Sequence, residues 1–137
     1  MKSFPIGAII LGGHFHSLGV IRCLAKKGIS IVLMDYETNI SRFSRYVRRY
    51  YKCPEYHREK KMLDFMMNIA ERQNLQGWVV FPSDDESVYF LSTHKKYLDP
   101  YFRITSPDWE TCKYTYNKKY TYTLAEELGI AVPKTYY

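Results

Sequence analysis

The sequence of 137 residues lacks a long hydrophobic run. Its longest apolar run near the amino terminus, residues 6–11, is far too short to cross a bilayer, and Pro5 and Gly7 do not suit the core of a signal peptide. We therefore expect a cytoplasmic protein that does not interact with a membrane.

Cysteines are few and show no pairing pattern. Cys23, Cys53 and Cys112 are odd in number, widely spaced and form no C-x-x-C pair. This arrangement favours reduced thiols with a structural role over a disulfide framework or a zinc site.

Negative charge is outnumbered, with 14 acidic against 20 basic residues and a formal net charge of +6. Such a balance suits an anionic ligand or an acidic partner domain. Residues 42–61 are the most basic stretch and contain several tyrosines. Cations among aromatic rings can bind nucleic acid, but tyrosine is also an ordinary strand residue and no nucleic-acid motif accompanies the stretch. We expect no nucleic-acid partner.

Hydrophobic residues make up 46% of the chain, enough for the core of one domain, and they fall into short runs that alternate with amphipathic stretches. The pattern predicts strands at 4–12, 29–34, 46–53, 78–81 and 102–105. It predicts helices over 58–75, 83–98 and 117–128, and two further helices that begin at Ser17 and Ser106. In the last helix we expect Leu124, Ala125 and Leu128 to face inward.

Alternating strands and helices indicate an α/β fold with a doubly wound, mainly parallel sheet flanked by helices. In such sheets ligands bind beyond the carboxyl ends of the strands, where the strand order reverses. We therefore predict that loops 12–17 and 82–86 face each other across that crevice.

The loop after the first strand reads LGGHFHSLG. Glycines there let backbone amides approach an anion at the start of the next helix. Gly13 and Gly19 are too far apart for the dinucleotide pattern G-x-G-x-x-G, so the alternative is a tight turn with Ser17 as helix cap. His14 and His16 could contact substrate, but without a nearby Cys or carboxylate partner they predict no metal site.

Asp35 ends the second strand, where a dinucleotide-binding enzyme places an acid on a ribose hydroxyl. An aspartate at a strand end is equally an ordinary turn residue.

The stretch PSDDE, residues 82–86, also has two interpretations. Ser83 and Glu86 have the spacing of a capping box, and Asp84 and Asp85 in the first turn complement the helix dipole. One of the two aspartates could instead point into the crevice and hold a substrate amine or hydroxyl.

Four stretches together resemble the carboxylate-amine ligase-like members of the ATP-grasp superfamily. They are IILGGHFHSLGVIRCLAKKGISIVLMD, the SRY of residues 44–46, VVFPSDDE and the closing NKKYTYTLAEELGIAVPKT. The resemblance implies a Rossmann-like pre-ATP-grasp domain over residues 1–115, followed over 116–137 by a linking helix and the start of an ATP-grasp domain that is absent. It also implies that Lys118 contacts ATP phosphate, although Asn117 stands where the family has Asp, and Ala131 where it has Pro.

Members of that family use ATP and magnesium to activate a carboxylate as an acyl phosphate, which an amine then attacks. The resemblance therefore implies that this chain is the substrate-binding part of such a ligase, with small-molecule carboxylate and amine substrates. It also implies a homodimer, for which exposed tyrosines suit the interface. We expect the chain to fold on its own but to be inactive and to bind no ATP tightly, because the magnesium and adenine ligands of the family lie further along.

Nine residues are predicted to contact substrate: Gly12, Gly13, His14, Ser17, Asp35, Ser83, Asp84, Asp85 and Glu86. Two rival functions stay open at this point: a stand-alone dinucleotide-binding domain of an oxidoreductase, favoured by Asp35, and a regulatory binding module without chemistry.

Overall fold

The computed structural model describes residues 6–136, and its centre is a sheet of five parallel strands. The strands are β1 (Ala8–Leu11), β2 (Ile31–Asp35), β3 (Val47–Lys52), β4 (Val79–Pro82) and β5 (Arg103–Ile104), in the order β3-β2-β1-β4-β5. The predicted α/β class and parallel sheet are therefore confirmed. The predicted first strand began at residue 4, and residues 4 and 5 lie outside the described range.

Helices connect the strands and cover the sheet. They are α1 (Phe15–Ala25), a short 3-10 helix (Ile40–Phe43), α2 (Glu59–Arg72), α3 (Asp85–Thr93), α4 (Lys95–Leu98), α5 (Trp109–Tyr116) and α6 (Lys118–Glu127).

The central strands are buried on both faces. Along β1, Ile9 and Leu11 belong to the larger core, which includes residues of α2 and α3, whereas Ala8 and Ile10 pack with Ile21 of α1. Successive side chains of a strand point to opposite faces, so a strand with a core on each side must be apolar throughout. This requirement explains the continuous apolar run that predicted β1.

None of the three serines at which a helix was predicted to start, Ser17, Ser83 and Ser106, is an N-cap residue. The N-cap residues are His14 for α1, Asp84 for α3 and Asp108 for α5. Ser17 and Ser83 instead donate their hydroxyl hydrogens to the carbonyl oxygens of Gly12 and Leu11, both over 2.7 Å. Each hydroxyl is turned back towards β1 or the loop after it and accepts no amide of the following helix turn, and each helix begins at a different residue from the one predicted.

The single helix predicted from Ser83 to Leu98 is also wrong, because it breaks at His94 between α3 and α4. The Nδ1 atom of His94 lies 3.0 Å from the carbonyl oxygen of Phe90, and its Nε2 atom lies 3.3 Å from Glu59 Oε2. These contacts hold the ring of His94 between α2 and the end of α3, where the chain turns.

The last helix packs less closely than predicted. Its main contacts are with α5, and it contributes no buried residue. Leu124 and Ala125 are partly buried, but Leu128 is 66% exposed, so its predicted inward position is wrong. The sequence of the helix has amphipathic spacing, but the helix packs on α5 rather than on the sheet, so its apolar side is not buried.

Candidate functional site

The loops that follow β1 and β4 meet at the carboxyl edge of the sheet. Leu11 pairs with Pro82, and both the backbone N–H and the hydroxyl of Ser83 donate to the carbonyl oxygen of Leu11, over 3.0 and 2.7 Å. The strand order reverses between β1 and β4, so this edge is the switch point of the sheet. The predicted juxtaposition of loops 12–17 and 82–86 is confirmed.

Two glycines allow the loops to approach closely. Gly12 has a φ of +89°, and a Cβ atom there would collide with Asp84 Oδ2 and Ser83 Oγ. A Cβ atom at Gly13 would lie 2.5 Å from Asp35 Oδ2. The backbone of this loop therefore touches the acidic residues of two neighbouring strands, and any side chain here would separate them.

The amino end of α1 opens onto this crevice without a capping side chain. His14 is the N-cap residue and makes no side-chain hydrogen bond to the helix, and the first turn contains no acidic residue. The side chains of His14 and His16 are exposed, whereas Ser17 is buried and turned back to Gly12. Uncapped first-turn amides and the positive end of a helix dipole favour an anion at this position.

The opposite wall of the crevice is acidic. Asp84 Oδ1 accepts the N–H of Ser87 over 2.7 Å, and the Asp84 N–H lies 3.3 Å from Ser87 Oγ. The capping box is therefore Asp84 with Ser87 rather than the predicted Ser83 with Glu86. The second carboxylate oxygen of Asp84 faces Gly12, while Asp85 and Glu86 are exposed.

Asp35 is the last residue of β2, and its side chain stabilises the turn that follows. Its side chain accepts the Asn39 Nδ2–H over 2.7 Å and the Glu37 N–H over 3.1 Å, and the residue is only 2% exposed. Each carboxylate oxygen already accepts one donor and the side chain is buried, so a ribose hydroxyl has little access to it.

A cavity of about 220 Å³ lies next to the acidic wall. Its lining is made of tyrosines, glutamates and one histidine: Tyr56, His57, Glu59, Glu86, Tyr89 and Tyr116. Tyr36, which follows Asp35, donates its hydroxyl to Glu86 Oε2 over 3.5 Å and packs edge-on against Tyr56. The cavity therefore adjoins the carboxyl ends of β2 and β4.

Tyr56 carries a buried hydroxyl at the edge of this cavity. It is 4% exposed, and its hydroxyl has no hydrogen-bond partner within the described residues. Burial raises its pKa, and the negative charges of Asp84 and Asp35 raise it further. A buried hydroxyl without a partner costs about 1–3 kcal/mol, and such a group calls for an explanation such as a ligand.

Burial and charge also keep two neighbouring groups in their neutral forms. Burial raises the pKa of Tyr36 to about 12, with a further contribution from Glu86. Burial raises the pKa of Cys53 to about 12, and Asp35 adds to that rise. Cys53 and Cys112 are buried thiols, as a structural role requires, whereas Cys23 is exposed.

Sequence reasoning missed Tyr36, Tyr56 and the cavity. The available signal was position, since residues that directly follow β2 and β3 must lie at the same edge as those that follow β1 and β4.

Lys118 is not among the residues that meet in the crevice. It is the exposed first residue of α6, whose amino end is capped by Asn117 Oδ1 accepting the Lys119 N–H over 3.0 Å. Over residues 6–136, no group of three or more His, Cys, Asp or Glu side chains could hold a metal ion. No helix in that range is long and apolar enough to cross a membrane.

Comparison with known proteins finds the same fold in solved enzymes. An L-amino acid ligase from Bacillus licheniformis matches 96% of this chain with a TM-score of 0.75 and 14% sequence identity. A pyruvate carboxylase from Rhizobium etli matches 96% with a TM-score of 0.62 and 20% identity. The Rossmann-like fold is confirmed. This chain covers only 32% of the ligase and 13% of the carboxylase, and neither a family model nor a curated protein sequence matches it.

We predict that Gly12→Ala lowers the free energy of unfolding by about 2 kcal/mol or more, because a side chain there meets Asp84 and a positive φ disfavours alanine. Gly19→Ala is the matched control, since nothing lies within 4 Å of its added Cβ and alanine favours the helix. Urea unfolding measures both. Equal losses at the two positions would show that the loops do not touch as described.

We predict that stability falls as the pH rises from about 9 towards 12, because the thiol of Cys53 ionises in the unfolded chain before it ionises in the folded one. The contribution is complete below the unfolded pKa and is lost as the pH passes the folded pKa. Urea unfolding at about pH 8 and about pH 10 measures the slope. Cys53→Ala reduces the slope and the exposed-site control Cys23→Ala keeps it; an unchanged slope in Cys53→Ala contradicts this account.

Proposed function

We propose that this chain is the N-terminal substrate-binding domain of a larger ATP-dependent ligase that joins a small carboxylate to an amine. The observation that carries the proposal is the crevice between β1 and β4, where an uncapped helix end faces an acidic loop. The fold shared with an L-amino acid ligase supports the same class of reaction.

The helix side of the crevice suits the carboxylate substrate. The first amides of α1 donate hydrogen bonds without deprotonating, and the loop of Gly12 and Gly13 has no side chain to block their approach. An oxyanion bound there gains from the helix dipole, and no acidic residue of the first turn competes with it.

The acidic side suits the amine. Asp84 Oδ1 caps α3, which leaves Oδ2 facing Gly12, and Glu86, two residues further on, lines the tyrosine cavity. An ammonium group there would meet two carboxylates and the faces of aromatic rings, and the hydroxyl of Tyr56 would gain a partner. Substrates that bring a carboxylate and an amine to one place match these two walls.

ATP and magnesium would be held by a domain that follows this one. The described residues include no group of three metal ligands, and Lys118 alone cannot neutralise a triphosphate. We therefore propose residues 1–115 as the substrate domain and 116–137 as the connection to the ATP-grasp domain. Leu128 and Ile130, which are 66% and 58% exposed, are suited to being covered by that domain.

A dinucleotide-binding domain is the alternative function. It is disfavoured because the carboxylate of Asp35 is buried and held by its own turn, and because the glycine spacing does not match. We predict that calorimetric titration of this chain detects tight binding of neither NAD nor ATP, with or without magnesium. Tight NAD binding would favour the oxidoreductase alternative, and magnesium-dependent ATP turnover abolished by Lys118→Ala would contradict the boundary proposed here.

We predict that Asp84→Asn in the longer protein raises the KM for the amine substrate about tenfold and leaves the KM for ATP unchanged. Asparagine keeps the capping oxygen, so stability should change little, whereas Asp84→Ala should also cost about 0.5–2 kcal/mol of stability. Steady-state assays of phosphate release measure each KM, with the amine or ATP varied while the other substrates are held at a fixed concentration.

Asp108→Asn is the matched control, because Asp108 caps α5 through the same kind of bond, 3.1 Å from the Thr111 N–H. The same KM change in both variants would contradict a substrate role for Asp84. The proposal also requires a reading frame that continues past residue 137 into an ATP-binding domain.

A further inference from the structure

A second cavity lies at the opposite, amino edge of the sheet, and we propose that it binds a small dianion, an organic phosphate or polycarboxylate. Its volume is about 300 Å³, and three arginines line it: Arg48, Arg49 and Arg72. This inference does not rest on the proposed function, because the crevice and this cavity share no residue.

A register shift brings two of the arginines to one place. Ile31 pairs with Val47 and Val32 pairs with Arg49, so Arg48 is an extra residue in β3. An extra residue of this kind bends the strand and redirects its side chains. Arg48 and Arg49 both line the cavity as a result, although neighbouring residues of a regular strand point to opposite faces.

The third arginine comes from the end of α2. Arg72 lies in the last turn of that helix, which runs antiparallel to the strands and so ends at their amino edge. One ordinary role of Arg72 is to complement the negative end of the helix dipole. That role does not account for two further guanidinium groups at the same cavity.

Among residues 6–136, the three positive charges have no acidic partner. None of these arginines forms an ion pair with a carboxylate of the described residues. Arg49 donates to Gln73 Oε1 over 2.9 Å, an oxygen that also accepts from Tyr51, and Arg48 reaches Ser30 Oγ only at 3.4 Å. Each guanidinium carries five N–H donors, so most of them are available to an oxyanion.

The floor of the cavity is apolar, and its rim is charged. The floor is formed by Val32, Leu75 and Trp78, which are at most 7% exposed. A cavity of this volume with an apolar floor and charged rim has the character of a small-molecule site. Planar guanidinium groups bind carboxylate and phosphate through paired hydrogen bonds, so both chemistries fit the rim.

A nucleic-acid strand is less suited to the basic stretch that contains Arg48 and Arg49. Arg42 and Arg45 lie over the rings of Tyr50 and Tyr46, 4.8 and 5.0 Å from the ring centroids, and Arg58 pairs with Glu55. These contacts engage the neighbouring cations with groups other than those of the cavity.

The two tryptophans of the chain make a direct test. Trp78 lines the cavity, whereas Trp109 packs against Tyr89 of α3 and Tyr116 of α5, which do not line it. In ¹H–¹⁵N spectra of the whole chain, we expect pyrophosphate or citrate to shift the indole signal of Trp78 and leave that of Trp109 unchanged. A response to one probe alone identifies the ligand as phosphate-like or carboxylate-like.

Variants test the arginines. Arg72→Gln and Arg48→Gln should each weaken binding of the effective probe about tenfold, the loss expected for a charge-assisted hydrogen bond. Arg72→Lys keeps the charge but not the planar fork and should lose a large part of the affinity with the fold intact. Arg22 is exposed on α1, away from the cavity, and Arg22→Gln removes the same charge, so it should leave the affinity for the probe unchanged.

Three results would overturn the proposal. They are an unchanged Trp78 signal with both probes, equal weakening by Arg22→Gln, and a shift of Trp78 by a short single-stranded RNA that is larger than the shift by either small anion.

Discussion

The pairing of β1 with β4 is the contact on which the candidate site depends. These strands are separated by about half of the chain, yet the carbonyl oxygen of Leu11 accepts two hydrogen bonds from Ser83, and Gly12 touches Asp84 because it has no side chain. Parallel strands can be adjacent only through long connections, and the one between β1 and β4 contains α1, β2, β3 and α2. The crevice is therefore a product of the whole fold rather than of a local motif.

The fold class was predictable from the sequence, since the alternation of short apolar runs with amphipathic stretches is a local signal of each element and of the class they build. The helix caps were not. Ser17 and Ser83 have the residue type and position of N-caps, but their hydroxyls bond to carbonyl oxygens of β1 and the loop after it. A local pattern cannot reveal this orientation of the hydroxyl, because the residue that accepts from Ser83 lies 72 residues away.

The candidate site was predictable in part, because the positions of its residues follow from the order and direction of the strands. Gly12, Gly13, Ser83 and Asp84 follow strands whose carboxyl ends meet, and the switch-point rule places them together without any knowledge of side-chain packing. The roles of individual atoms required the structure. One oxygen of Asp84 accepts the capping hydrogen bond of α3, and the other faces the crevice. The side chain of Asp35 accepts hydrogen bonds from the turn that follows β2. The unpartnered hydroxyl of Tyr56 becomes apparent only when burial is known.

The two cavities differ in charge, and their separation follows from the strand direction. Acidic residues collect at the carboxyl edge, where Asp84 and Glu86 begin α3, and arginines collect at the amino edge, where α2 ends and β3 bulges. Val32 and Asp35 of β2 are three residues apart, about 10 Å along a strand, which is close to the Debye length at physiological salt. Charges at the two solvent-accessible ends are therefore largely screened from each other. An anion at the arginines should change the affinity of the crevice for an amine only slightly, and a strong coupling between the two sites would have to be transmitted by movement of the sheet or of α2 instead.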